Sequence, residues 1–185
     1  SVETEYLSSK DKFLDLRMAD AIGLALADGA SGILCFFPGA PEIRRAEKLL
    51  REKYSGNSGV LICPLYGDLG KEAHDRAIKP VPAGFKKIVL ASSIAESSIT
   101  IDGVDAVIDS GLSRKSVFDS STGLSGLETV RESKASAEQR KGRAGRTRPG
   151  RCIRLWQESD SKLMADFDPP EIFDADLVRK LCLLP

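Results

Sequence analysis

The sequence has a single histidine, His74, and four scattered cysteines, Cys35, Cys63, Cys152 and Cys182. No two cysteines form a CxxC pair, and their spacing fits neither a zinc site nor a small disulfide framework. A histidine-based triad or a metal cluster within this chain is therefore disfavoured, and no metal ligand is assigned. The cysteines read as reduced, mostly buried thiols of a cytoplasmic protein. No apolar run approaches the roughly 18 residues that would span a bilayer, so no membrane partner is expected. The first residues carry no charged segment followed by an apolar one, so no signal peptide is expected. Charge of one sign is also missing, because 27 basic and 27 acidic side chains give a formal net charge of zero.

That balance hides an uneven distribution. Between Arg140 and Arg154 stand Arg140, Lys141, Arg143, Arg146, Arg148, Arg151 and Arg154, with no acid among them. Between Glu158 and Asp176 stand Glu158, Asp160, Asp166, Asp168, Glu171, Asp174 and Asp176, against Lys162 alone. The segregation suggests a basic face aimed at an anion. A solvated helix followed by a polar tail accounts for the charges equally well.

The chain has 185 residues and is 42% hydrophobic, enough for one domain with a core of its own. Phe13, Leu14, Met18, Ala21, Ile22 and Ala25 recur at helical spacing, which predicts a helix over 10–28. "ILCFF" (33–37) reads as a buried strand ended by Pro38-Gly39. "PEIRRAEKLLREKY" reads as a helix with Pro41 at its entrance. "GVLICPLY" (59–66), "KKIVLAS" (86–92) and "VDAVIDSG" (104–111) are further strands, and "LGKEAHDRAIK" a short helix. Nearly all-apolar strands alternating with helices predict an α/β fold, a mostly parallel sheet covered on both faces. Next come two strands flanking "SSTG", with a turn near Gly123. A helix "ASAEQRKGRAG", with Ser133 or Ser136 as its cap, and a strand "GRCIRLW" (150–156) follow. The domain is expected to span 1–170. Leu177, Val178, Leu181 and Leu183 mark 171–185 as the start of a following helical segment.

A sheet of this kind often binds phosphate, yet GxxxxGK[ST] and GxGxxG are both missing from the sequence. "GDLGKE" has a Gly-Lys pair, but Glu72 stands where Ser or Thr must hold Mg²⁺. "KEAHD" (71–75) holds the letters of an Asp-Glu-Ala-His box in the wrong order and reads as a coincidence on a helix face. Any nucleotide chemistry must draw its phosphate loop from elsewhere. "QRKGRAGRT" (139–147) is more informative. On a helix, Arg143 and Arg146 would point the same way. Gly142 and Gly145 precede them, each costing about 1 kcal/mol against alanine, which suggests that something approaches this backbone closely. Two guanidinium forks with small residues between suit a polyphosphate, and a plain basic helix is the alternative. In "LASSIAESSITIDGVDAVIDSG" (90–111), hydroxyl side chains follow an apolar strand. They suit a sugar-phosphate backbone, or simply cap a loop.

Taken together, "FPGAPEI", "CPLYGDL", "IVLASSIAESSITIDGV" and "SKASAEQRKGRAGRTRPGRCIRLW" resemble motifs IV to VI of the DEAH-box helicases of superfamily 2. "FDSSTGLSGLETVRESKASAEQRKGRAGR" is especially similar to the bacterial HrpB-type members. The resemblance covers nearly the whole chain in order and spacing. It implies the second, C-terminal RecA-like domain of an ATP-dependent RNA helicase: a doubly wound sheet with a β-hairpin excursion. The N-terminal RecA-like domain of the same polypeptide would carry the phosphate loop and hold most of the ATP and Mg²⁺. By position, the resemblance makes Arg143 and Arg146 arginine fingers and places Gln139, Gly142 and Asp102 at the nucleotide, Asp102 on its ribose. It turns Gly39, Ser92 and Ser93 toward a single RNA strand, and makes 113–131 the family's wedge hairpin. The sequence departs from the family in three places. Ser92-Ser93 replaces the usual Thr-Asn, Lys141 replaces a smaller residue, and "FFPGAPEI" is looser than the usual Gly-Gln-Glu-Glu form. Two other functions compete: a non-catalytic module binding nucleic acid or protein, and a DNA-directed helicase of the same superfamily.

Overall fold

The fold is taken from a computed structural model, which describes residues 1–8, 13–67, 69–97, 99–119, 124–145 and 149–168. Six strands form one sheet: β1 (Val2–Tyr6), β2 (Gly32–Phe36), β3 (Val60–Leu65), β4 (Lys86–Ala91), β5 (Ala106–Asp109) and β8 (Gly150–Arg154). Their order is β1-β8-β5-β2-β4-β3, and every pairing is parallel. Helices α1 (Leu14–Ala27), α2 (Ala40–Lys53), α3 (Lys71–Ile78), α4 (Ile94–Ser97) and α5 (Lys134–Lys141) lie between the strands in the chain. β6 (Leu112–Asp119) and β7 (Leu124–Arg131) form a separate antiparallel pair.

The period of two along each strand divides the core into two layers. Ile33 and Cys35 of β2 join Ile88, Leu90, Ile108 and Ile153 beneath Met18, Ile22, Ala25, Ile43 and Leu50 of α1 and α2. Leu34 and Phe36 face the other way, with Val89, Val107 and Cys152, against Ala77 of α3, Ala95 of α4 and Ala144. Burial on both faces is why β2 is apolar at nearly every position. The helices thus cover both faces, as the sequence predicts.

Several boundaries differ from expectation. β1 went unpredicted; "VETEY" alternates, but the strand is short and exists by pairing with β8, 148 residues away in sequence at Tyr6↔Arg154. The predicted strand 104–111 stops at Asp109, and Gly111 turns the chain at φ +72° into the hairpin. The strand over 150–156 stops at Arg154. The helix over 10–28 starts at Leu14, with 10–12 outside the described residues. The turn near Gly123 and the segment 171–185 also lie outside them. The last helix ends at Lys141, with Gly142 as its C-cap. Arg143 N then donates to Arg140 O and Ala144 N to Lys141 O, the i−3 bonds of a tightened final turn. Arg143 is therefore past the helix, and Arg146 lies outside the described residues.

Candidate nucleotide and strand interface

The candidate residues fall at two ends of the sheet. Phe36 and Ala91 are register partners, so Gly39 and Ser92 follow neighbouring strands at the carboxyl edge. Gly39 is the N-cap of α2, and its carbonyl accepts from Ile43 N. Ser92 is half-buried with its N–H on Leu65 O, and Ser93 is exposed. The carbonyls of Ser92 and Ser93 accept from Ala95 N and Glu96 N, so this hydroxyl pair opens α4. The chain then crosses the sheet face to the amino edge, where Asp102 stands exposed in a turn. That turn is clasped by Asp105, whose carboxylate accepts from the N–H of Ser31 and Gly32 and from Ser31 Oγ.

α5 runs down the same face. Ser133 caps it, its Oγ accepting from Ser136 N at 3.1 Å. Gln139 and Gly142 are exposed, and a side chain at Gly142 would meet only carbonyls of its own helix, at 3.4 Å. Gly145 differs, because a Cβ there would stand 2.5 Å from Val2 of β1. The two glycines thus serve different approaches: Gly145 admits the chain's own edge strand, and Gly142 leaves backbone open at the surface. Arg143 is buried, with Nη1 donating to Ile99 O at 3.1 Å and Nη2 donating to Glu96 O. The guanidinium is thereby tied to the loop that joins Ser92 to Asp102. Arg146 lies outside the described residues.

Among the described residues, the basic run does not make a basic face. Arg140 is fully buried, bonded to Glu96 and Asp109 and in contact with Glu132. Lys141 pairs with Glu138, Arg151 with Glu5 and Asp28, and Arg154 with Glu138 and the Tyr6 hydroxyl. Arg148, like Arg146, lies outside the described residues. The acidic run is distributed in the same way: Asp160 lies beside Arg131, Asp166 beside Lys134, and Asp168 beside Lys115. Segregation along the sequence becomes pairing in space.

Sequence reasoning missed the group around Arg140. Burial by itself lowers the guanidinium's affinity for its proton, but Asp109, Glu132 and Glu96 outweigh it and hold Arg140 above its ordinary range. Glu132 is pushed up to about 10, by burial first and then by the Asp109 charge. Two of the acids that receive Arg140, Asp109 and Glu96, lie 31 and 44 residues away, beyond any local pattern.

A parallel sheet wrapped on both faces, with an antiparallel hairpin inserted before its last helix and strand, defines a RecA-like α/β domain. Residues 19–148 match the family described as the helicase conserved C-terminal domain, and the chain belongs to that family. It is 41% identical over 165 residues to the ATP-dependent RNA helicase HrpB of Escherichia coli, covering 87% of this chain and 20% of that protein. It is 40% identical to the pre-mRNA-splicing factor ATP-dependent RNA helicase prp22 of Schizosaccharomyces pombe, over 80% of this chain and 13% of that one. The crystal structure of Escherichia coli DEAH/RHA helicase HrpB superposes with a TM-score of 0.90 at 40% identity, covering 97% of this chain and 23% of that one. The chain therefore spans about a fifth or less of the length of these curated relatives.

Proposed function

We propose that this domain is the C-terminal half of the motor of an ATP-dependent RNA helicase. It offers Arg143 and Arg146 to the phosphates of ATP held mainly by a preceding RecA-like domain. One observation carries the reading. In a member of the helicase C-terminal family, Arg143 sits where the end of α5 meets the loop leading from Ser92 to Asp102. Gln139 and the open backbone at Gly142 flank it on the exposed side of the same turn. Asp102, at the same amino edge, faces the ribose in this reading. Mg²⁺ belongs with the phosphate loop of the other domain, and the work is done in the cytoplasm.

The chemistry asked of this chain is electrostatic. Charge builds on the transferring phosphoryl group, and a guanidinium brought in from a second domain stabilises it. Closure of the cleft would deliver Arg143, and hydrolysis would release it. At the carboxyl edge, Gly39, Ser92 and Ser93 would hold a single RNA strand by its backbone, a grip that tolerates sequence.

The test is RNA-stimulated ATP hydrolysis by the full-length parent protein with Arg143→Ala. Turnover is expected to fall about 10³-fold or more, with RNA binding retained. Unchanged turnover with weakened RNA affinity would overturn the reading and leave a nucleic-acid-binding module.

A further inference from the structure

Arg140 is a meeting point of four parts of the domain. Its Nη1 lies 2.8 Å from Asp109 Oδ1 at the end of β5 and 2.5 Å from Glu132 Oε2 just past β7. The same nitrogen donates to Leu112 O, the first residue of β6, at 3.2 Å. One nitrogen thus holds both legs of the hairpin at its root. Nε donates to Glu96 Oε1 of α4 at 2.7 Å, and Ser136 of α5 donates to the other Glu96 oxygen at 2.8 Å. The Phe36 ring covers the guanidinium at 4.9 Å.

The charges in this site do not balance if every acid is ionised. Arg140, Asp109 and Glu132 have side chains with no exposed surface, and Glu96 adds a third carboxyl. Two buried carboxylates on one guanidinium nitrogen repel each other strongly enough that both cannot stay charged. Asp109 Oδ1 already accepts from Arg140 and from Gly111 N, the latter at 3.0 Å. Asp109 Oδ2 and Glu132 Oε1 are buried without a hydrogen-bond partner among the described residues, and Glu132 Oε2 has only its ion-pair contact with Arg140 Nη1. A proton on Glu132, donated to Asp109, removes the repulsion and satisfies atoms on both sides.

We propose that Glu132 is a neutral acid in the folded protein, hydrogen-bonded to Asp109, and that Glu132 and Arg140 are positioning residues. They lock the hairpin root and α4 to α5, so that strand engagement at the carboxyl edge is felt at Arg143. The coupling half of this rests on the helicase reading; the protonation half does not. The groups facing Glu132 are Asp109 from β5, Arg140 from α5 and Glu96 from α4.

The test uses the full-length parent protein with Glu132→Gln and Glu132→Ala. Glutamine keeps an uncharged donor, so ATP hydrolysis with and without RNA should stay within about twofold of the parent. Alanine removes the lock. It should cut RNA-stimulated turnover about tenfold while RNA-free turnover changes less than about threefold. A role confined to stability would lower both rates in proportion, and that result overturns the coupling. Equal losses for glutamine and alanine would show that a negative charge is needed, and overturn the neutral acid. Infrared spectra supply a readout without turnover. The carbonyl band of a protonated carboxyl should be present near neutral pH and vanish in Glu132→Gln, and its absence from the parent sinks the assignment. Should Arg143→Ala leave turnover intact, the helicase reading fails while the infrared result still decides the proton.

Discussion

Replacing Glu132 by glutamine makes stability less dependent on pH, and the sign follows from the shift. The carboxyl sits at about 10 in the folded domain against an ordinary 4.5 in the open chain. Between those values the folded state holds a proton that the unfolded state has lost, so the unfolded state gains on the folded one as pH rises. The stability tied to this proton is complete below about 4.5 and disappears as pH climbs through about 10. The Glu132→Gln variant has nothing to lose in that window. Its melting temperature relative to the parent should therefore rise steadily between about pH 5 and about pH 9. A flat difference across that range would mean that the carboxyl is ionised in the folded state. At this scale the sequence was least legible. "QRKGRAGRT" shows that arginines are present but not which one is turned inward, because partners distant in the chain decide that. The resemblance singled out Arg143, which meets backbone carbonyls, and passed over Arg140, which meets buried carboxylates.

At the scale of elements, local chemistry was legible wherever one residue decides a boundary. Ser133 is such a residue. Its Oγ accepts from Ser136 N and donates to Asp168, while Ser136, the competing cap, points to Glu96 instead. Ser133→Ala should cost about 1 to 2 kcal/mol, measured as a shift in the urea midpoint at constant slope. A change below a few tenths would show that Lys134 and its neighbours hold α5 without the cap. The glycines of the final turn were legible as a sign of close approach to the backbone, but the two roles behind them were not. Gly145 makes room for Val2, a residue far away in the sequence that no local window contains. β1 escaped notice for the same reason, since five alternating residues at an edge become a strand only when β8 is beside them.

At the scale of the molecule, period and burial carried the prediction. The apolar runs at 33–37, 59–66 and 86–92 predict a sheet closed on both faces, and the two core layers are the direct consequence. The strand order β1-β8-β5-β2-β4-β3 was not legible, because neighbouring apolar strands carry no label for one another. What the order achieves is a division of labour. Gly39 and Ser92 emerge at the carboxyl edge, Asp102 and Arg143 lie toward the amino edge, and α5 and the loop 92–105 run between them. In the proposed reading such a domain transmits between strand and nucleotide and supplies only part of the catalytic apparatus. It would bring guanidinium groups to a phosphate cradled by another domain, since its own sequence has no GxxxxGK[ST] loop. The isolated chain should therefore show no ATP turnover above buffer, with or without RNA. Adding the separately produced preceding domain should restore RNA-stimulated hydrolysis, and restoration should fail with Arg143→Ala. Turnover by the isolated chain would mean that it binds and activates a nucleotide on its own surface. In that case Gln139, Arg143 and the open backbone at Gly142 would form a complete site, where the argument above makes them half of one.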